Sequence, residues 1–260
     1  MKAVAAACLA ALAFAAGAVH AGQTCEERAP TPAAVRDGLE LAYRVHRHLE
    51  DQGATAAIVA RVGRDLSPHG LRYSHAGLVL REPGAPRWRV VHLLNHCGRG
   101  DSELYEQGLG NFFLDDLFRH EAAVLVPSRE LQQALRDAVA AGVGRTLHQR
   151  EYSLIANPWA TSYQNSNQWL LEFAAAAVSG ARDRRAAQAW LKQADYRPGE
   201  LRIGALTRLG ARLTAANVRF DDHPWESSGG WRFAVVTVES VLLHLAKTDR
   251  TVGQSVLRIE

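Results

Sequence analysis

Two stretches of this chain carry the side-chain types that acyl transfer needs. One is Tyr73-Ser74-His75-Ala76-Gly77, a histidine followed by two small residues. The other is Asn165-Ser166-Asn167-Gln168-Trp169, a hydroxyl at the head of an apolar segment. A serine is a weak nucleophile until a neighbouring base takes its proton, and an imidazole is the usual base. Free N–H groups and the positive dipole end at a helix start favour developing negative charge, so a nucleophile there sits beside an oxyanion hole. His92, in Val90-Val91-His92-Leu93-Leu94, is a candidate third member that would orient His75. Each residue also has a plain structural use. Asn and Ser are favoured helix caps, and a sheet histidine is commonly satisfied by a carbonyl. On spacing alone, capping accounts better for Asn165 and Ser166.

The elements that would position these residues follow from periodicity. Apolar residues at Val35, Leu39, Leu41, Ala42, Val45 and Leu49 predict a helix over Pro30 to Asp51, with Thr31 as cap and Gly53 as stop. Ala56 to Val62 reads as a strand. Arg72 to Arg81 and Trp88 to Leu94 read as two strands around the Pro83-Gly84-Ala85-Pro86 turn, a hairpin that would bring His92 beside or diagonal to His75. Alternation places Tyr73, His75, Gly77 and Val79 on one face. A short helix is expected over Asn111 to Phe118, a strand over Glu121 to Val126, and a Ser128-capped helix closed by Gly142. Ser166 to Val178 is a strongly apolar helix ended by Gly180, and Arg184 to Gln193 is another. Helix is also read over Leu201 to Leu213 and Glu239 to Leu245, with a strand from Phe233. One α+β domain accounts for the pattern, with 180–215 as a possible helical insertion.

The chain has 260 residues, and its first 21 read as a signal peptide. Lys2 supplies the positive end, Ala3 to Ala18 the apolar run, and Val19-His20-Ala21 the small-residue cleavage site. The mature chain, 22–260, would then be a soluble periplasmic protein without a membrane span. Its formal charge falls from +3 to about +2, and its arginines are scattered, which argues against nucleic acid as a partner. Two cysteines remain, Cys25 and Cys97, and an oxidising compartment predicts that they pair. His92 and His96 lie close to Cys97, but on a strand and turn and with Cys97 taken by the disulfide, so no metal site and no cofactor is expected. Tyr163 and Gln164 are candidate oxyanion donors, and Trp159, Trp225 and Trp231 candidate rim residues of a groove. Asp101, Glu103, Glu106 and Asp115-Asp116 read as solvated or capping.

His75-Ala76-Gly77 on a strand, followed much later by Asn165-Ser166-Asn167-Gln168-Trp169 opening a helix, resembles the circularly permuted papain-like proteins. These include the lecithin:retinol acyltransferase-like, PPPDE and permuted NlpC-related groups. The likeness covers roughly residues 73–94 and 163–172. Over most of its mature length the chain also resembles an uncharacterised family of secreted proteobacterial proteins, a domain of unknown function. The papain-like resemblance implies an antiparallel sheet packed on a nucleophile-bearing helix, with extra helices. It implies His75 as base, His92 as its orienter and position 166 as nucleophile, with Asn165 and the first helix amides holding the oxyanion. The position that matters most is Ser here and Cys in that pattern, and a thiol ionises far more readily than a hydroxyl. Two functions are therefore carried forward. One is an exported amide or ester hydrolase or acyltransferase acting on a cell-envelope peptide, glycan or lipid. The other is a catalytically silent binding or envelope-maintenance protein.

Overall fold

The computed structural model describes residues 29–81, 84, 87–115, 117–224, 231–249 and 253–259, apart from the side chains of 206, 209 and 212–214. Helix α1, Pro32–Asp51, begins where Thr31 Oγ1 accepts from Ala34 N at 3.1 Å and buries the stripe Leu41, Val45 and Leu49. It leads into β1 (Ala56–Val62), buried along its whole length. Next come β2 (His75–Arg81), β3 (Trp88–Asn95) and β4 (Ser102–Gly108). A short α2 (Leu109–Phe113) precedes β5 (Arg119–Val126). Helices α3 (Arg129–Ala140), α4 (Val143–Thr146), α5 (Ser166–Ser179) and α6 (Arg184–Gln193) follow. The remainder is β6 (Gly199–Arg202), α7 (Ala205–Thr214), β7 (Arg232–Val235), α8 (Val238–Thr248) and β8 (Gly253–Arg258).

Six strands form one antiparallel sheet in the order β4-β3-β2-β1-β5-β8, and β6 and β7 form a separate ribbon. The chain is thus an α+β protein with helices on both faces of its sheet. Alternation sorts the strands between two cores. Ile58, Ala76, Leu78, Val91 and Leu93 face α5, meeting Trp169, Leu170 and Phe173. Val59, Val79, Val90 and Val124 face α1 and α2, meeting Leu41, Val45, Phe112 and Phe113. Each large apolar side chain buried here is worth about 1.5–3 kcal/mol, so both layers are strongly specified.

Several expectations need correction. Tyr73 does not share the His75 face. Regular β2 starts only at His75, because the backbone N–H groups of Arg72 and Tyr73 are held by Glu239 Oε1 at 2.8 and 2.9 Å. Tyr73 belongs to the α5-side core, its hydroxyl donating to Glu121 Oε1 at 2.9 Å. The helix expected over Asn111 to Phe118 ends at Phe113 and starts earlier, at Leu109. β4 was unexpected because Glu103 and Glu106 make it read as solvated; it is an edge strand, where outward carboxylates are well tolerated. β8 is the other edge. β6 occupies the start of the span expected to be helical, and that helix begins at Ala205. Helix α6 packs on α5, with Ala187 and Leu191 in the main core. No helix among the described residues is long and apolar enough to cross a membrane. Residues 1–21 and Cys25 lie outside the described residues; Cys97 is disulfide-bonded.

Candidate functional site

The sheet register builds a row of polar side chains on the α1/α2 face. Arg61 on β1 is the cross-strand partner of His75 on β2, and His92 on β3 is the partner of Tyr105 on β4. The two histidines close the row between them: His75 Nε2 lies 2.7 Å from His92 Nδ1, with ring centroids 5.0 Å apart. The hairpin register permits this because Gly77 stands beside His92. A Cβ at Gly77 would lie 2.6 Å from Val90 Cγ1 and 3.2 Å from His92 Cβ.

Phe112 on α2 is the floor of the row. Its ring lies 5.8 Å from His75 and 5.4 Å from His92, and the Arg61 guanidinium sits 4.6 Å over it. Arg61 donates through Nη1 to the Phe112 carbonyl and pairs through Nη2 with Asp115. Asp115 is therefore the counter-ion of a buried arginine rather than a merely solvated acid, and Asp116 lies outside the described residues. At the open end, the Tyr105 ring meets the edge of His92 at 6.4 Å and is 37% exposed, whereas His92 is 0% and His75 8% exposed.

The electrostatics follow from burial beside a fixed cation. Burial holds the His75 imidazole well below its ordinary range, and Arg61 and His92 push it the same way. His92 is lowered to about 4 by burial and then by Arg61, with Asp115 opposing. Both rings are thus neutral near pH 7, and one donates to the other. Two atoms of the row, Arg61 Nε and His92 Nε2, are buried without a hydrogen-bond partner among the described residues. Buried polar atoms are almost always paired, so unpaired ones need a reason. The row thus sets a neutral imidazole pair beside a buried cation, with Tyr105 as its exposed end.

Ser166 lies in the other layer. It is the first residue of α5, on the face of the sheet opposite the imidazoles, and it hydrogen-bonds with Tyr152. No hydrogen bond joins it to His75 or His92 among the described residues. Asn165 is the cap: its Oδ1 accepts from Gln168 N at 2.7 Å. Its Nδ2 donates to the carbonyls of Leu154 and Val236 at 3.3 and 3.4 Å, so the amide is already engaged within the fold. Gln164 is also engaged, donating to Leu147 O and Glu172 and accepting from Gln149 N, and Tyr163 donates to Asp221 at 2.9 Å. Around Ser166 the Asn165 and Gln164 side chains are thus already engaged, while Asn167 Oδ1 and Gln168 Oε1 are buried without a partner among the described residues.

Beneath that helix start lies a cluster the sequence reading missed. Glu172 is fully buried on α5 and accepts from Arg184 Nε at 2.7 Å and Nη2 at 3.1 Å, and from Gln164, Gln168 and Gln188. Only one signal pointed to it, a charged residue inside an otherwise apolar helix. Among the tryptophans, Trp159 packs partly buried against the main core, 5.9 Å from the Tyr196 ring. Trp231 is 54% exposed, and Trp225 lies outside the described residues. No group of three or more His, Cys, Asp or Glu residues that could hold a metal occurs among the described residues.

No curated protein and no solved structure matches the chain. A family model, DUF2145, whose description is an uncharacterised protein conserved in bacteria, matches residues 48–245. That span runs from the end of α1 into α8 and contains the polar row, the Glu172 cluster and Ser166. The match covers most of the chain, which therefore belongs to the DUF2145 family of uncharacterised bacterial proteins.

Proposed function

We propose that this chain is an exported binding protein of the cell envelope, not a serine hydrolase, and that the Arg61–His75–His92–Tyr105 row is its polar contact site. One observation carries the reading: the sheet stands between the imidazoles and Ser166. A serine without a base in hydrogen-bond reach is a poor nucleophile, and stacked layers are separated by about 10 Å. The engaged side chains of Asn165 and Gln164 support the same conclusion, since an oxyanion hole needs donors that are free. Export rests on the leader-like sequence of residues 1–21. The papain-like motif order is then a resemblance of sequence, with its histidine and hydroxyl turned to different layers.

The test labels purified mature protein with a fluorophosphonate and compares native, Ser166→Ala and His75→Ala chains. Labelling of the native chain no greater than that of Ser166→Ala is the expected result. Labelling that requires both Ser166 and His75 would overturn the binding reading and restore the hydrolase. Retention on purified envelope fractions, reduced at least tenfold in Tyr105→Ala, checks the binding site itself.

A further inference from the structure

The β6–β7 ribbon is separate from the six-stranded sheet and its polar row, and it carries charged groups of its own. Alternation turns Leu201, Phe233 and Val235 into a small core and leaves Glu200, Arg202 and Arg232 on the outer face. The register sets Arg202 directly opposite Arg232. Like charges in that position are destabilising. Among the described residues Glu200 is their carboxylate, its Oε1 3.2 Å from Arg232 Nη1 and 3.9 Å from Arg202 Nε. One carboxylate against two guanidiniums leaves the face one positive charge in excess. The Arg202 and Arg232 side chains are 73% and 59% exposed, so both forks can be reached from water.

Trp231 stands at the end of the same ribbon, next to Arg232. It is 54% exposed and held at φ +69°, in the left-handed region, where a bulky side chain is a costly outlier. Strained residues of this kind cluster where ligands are held. The Trp231 carbonyl accepts from Ile203 N at 2.9 Å, which ties it to the chain just past Arg202. The indole lies against Gly204, where a Cβ would meet its Cζ3 at 3.4 Å. Gly204 is extended and two residues beyond Arg202, so the ring rests on the arginine side of the ribbon. The electron-rich face of an indole takes the C–H side of a sugar ring, whose hydrogens are partly positive. Two guanidinium forks beside it suit a carboxylate or phosphate on that sugar, and Glu200 can accept from its hydroxyls. A single excess positive charge matches a single anion. A polynucleotide brings one at every residue, and Glu200 would oppose the next.

We infer that the outer face of the β6–β7 ribbon binds a sugar carrying one anionic group, with the sugar ring stacked on Trp231 and the anion held by Arg202 and Arg232. The site is independent of the polar row and of the reading proposed for it. Calorimetric titration of the native chain with glucuronate, glucose 6-phosphate, glucose and a short oligothymidylate tests it. At least one acidic sugar binds saturably and at least tenfold more tightly than glucose, and the tighter of the two names the anion. Trp231→Gly removes the ring at a φ that glycine adopts freely, so it weakens the acidic sugar at least tenfold while the far-UV spectrum is unchanged. Arg202→Gln and Arg232→Gln, both surface changes, each bring the acidic sugar closer to glucose. Absence of saturable binding by either acidic sugar, or glucose bound as tightly as they are, would overturn the inference. So would undiminished affinity in a folded Trp231→Gly, an unchanged preference in both arginine variants, or oligothymidylate bound more tightly than either acidic sugar.

Discussion

Two buried polar centres, the Glu172 carboxylate on one side of the sheet and the Arg61–His75–His92 row on the other, differ in how completely they are partnered. Glu172 on α5 takes five hydrogen bonds from Arg184, Gln164, Gln168 and Gln188, binding α5 to α6 and to the segment before Ser166. The row on the α1/α2 face has one close imidazole pair, one arginine with its counter-ion, and two buried nitrogens left over. A saturated carboxylate is what a fold needs to hold a helix in place. An arginine N–H and an imidazole nitrogen left unpaired beside a neutral base are what the proposed contact site would offer a ligand. The difference gives the Glu172 carboxylate scaffold work and supports the contact role proposed for the row.

The largest expected effect breaks the saturated side. Glu172→Ala leaves Arg184 buried without its carboxylate, and loss of one partner of a buried pair costs about 3–5 kcal/mol. Urea unfolding measures this, and a loss below about 1 kcal/mol would show that the cluster is not structural.

Acid should affect the two sides of the sheet in different windows. His92 is lowered in the fold to about 4 from an ordinary 6.5, so the unfolded chain takes up protons that the folded row refuses. Stability from the row is therefore complete above pH 6.5 and declines on the order of 3 kcal/mol as pH falls towards 4. Glu121, clamped by Arg72, Arg258 and Tyr73 on the α5 side, is held at about 2 against an ordinary 4.5. Its contribution is present above pH 4.5 and is lost as pH falls towards 2. Stability measured against pH should thus decline in two stages. His92→Phe should flatten the upper one and Glu121→Gln the lower.

Smaller effects sharpen the comparison. Gly77→Val inserts a side chain where a Cβ already lies 2.6 Å from Val90 Cγ1, and overpacking of this kind costs about 1–3 kcal/mol. It should also move the His75 and His92 ring resonances. Asn165→Ala removes a helix cap at about 1 kcal/mol, and Ser166→Ala should cost less than that, since the cap is its neighbour. Thermal unfolding of the two single variants gives the order; a larger loss for Ser166→Ala would mean that its hydroxyl, not Asn165, organises the helix start.

How far the sequence could be read depended on the kind of signal. The helical stripe of α1, the apolar run of α5 and the branched strands β1, β2, β3 and β5 are strong periodic patterns, and those elements stand close to where they were expected. β4, β6 and β8 lie at a sheet edge or in a two-stranded ribbon, where one face meets water and the pattern weakens. The histidine pair was within reach of hairpin reasoning. Arg61 was not, because an arginine inside Ala56-Ala57-Ile58-Val59-Ala60-Arg61-Val62 gives no sign of its partners until β1 is registered against β2 and Asp115 is brought over it. The separation of His75 from Ser166 was present in the parity of β2. Ala76, Leu78 and Leu80 form the bulkier face, the one that takes an apolar helix, and His75 belongs to the other.

The central claim, that the imidazoles answer to Arg61 and not to Ser166, is open to one direct measurement. Long-range proton–nitrogen NMR spectra of the ring nitrogens, recorded from pH 8 to pH 4 on native, Ser166→Ala and Arg61→Met chains, report the titration of His75 and His92. Both rings should stay neutral to near pH 4, be unmoved by Ser166→Ala, and titrate at higher pH in Arg61→Met. A shift of either histidine in Ser166→Ala, with none in Arg61→Met, would contradict the account and join the base to the hydroxyl.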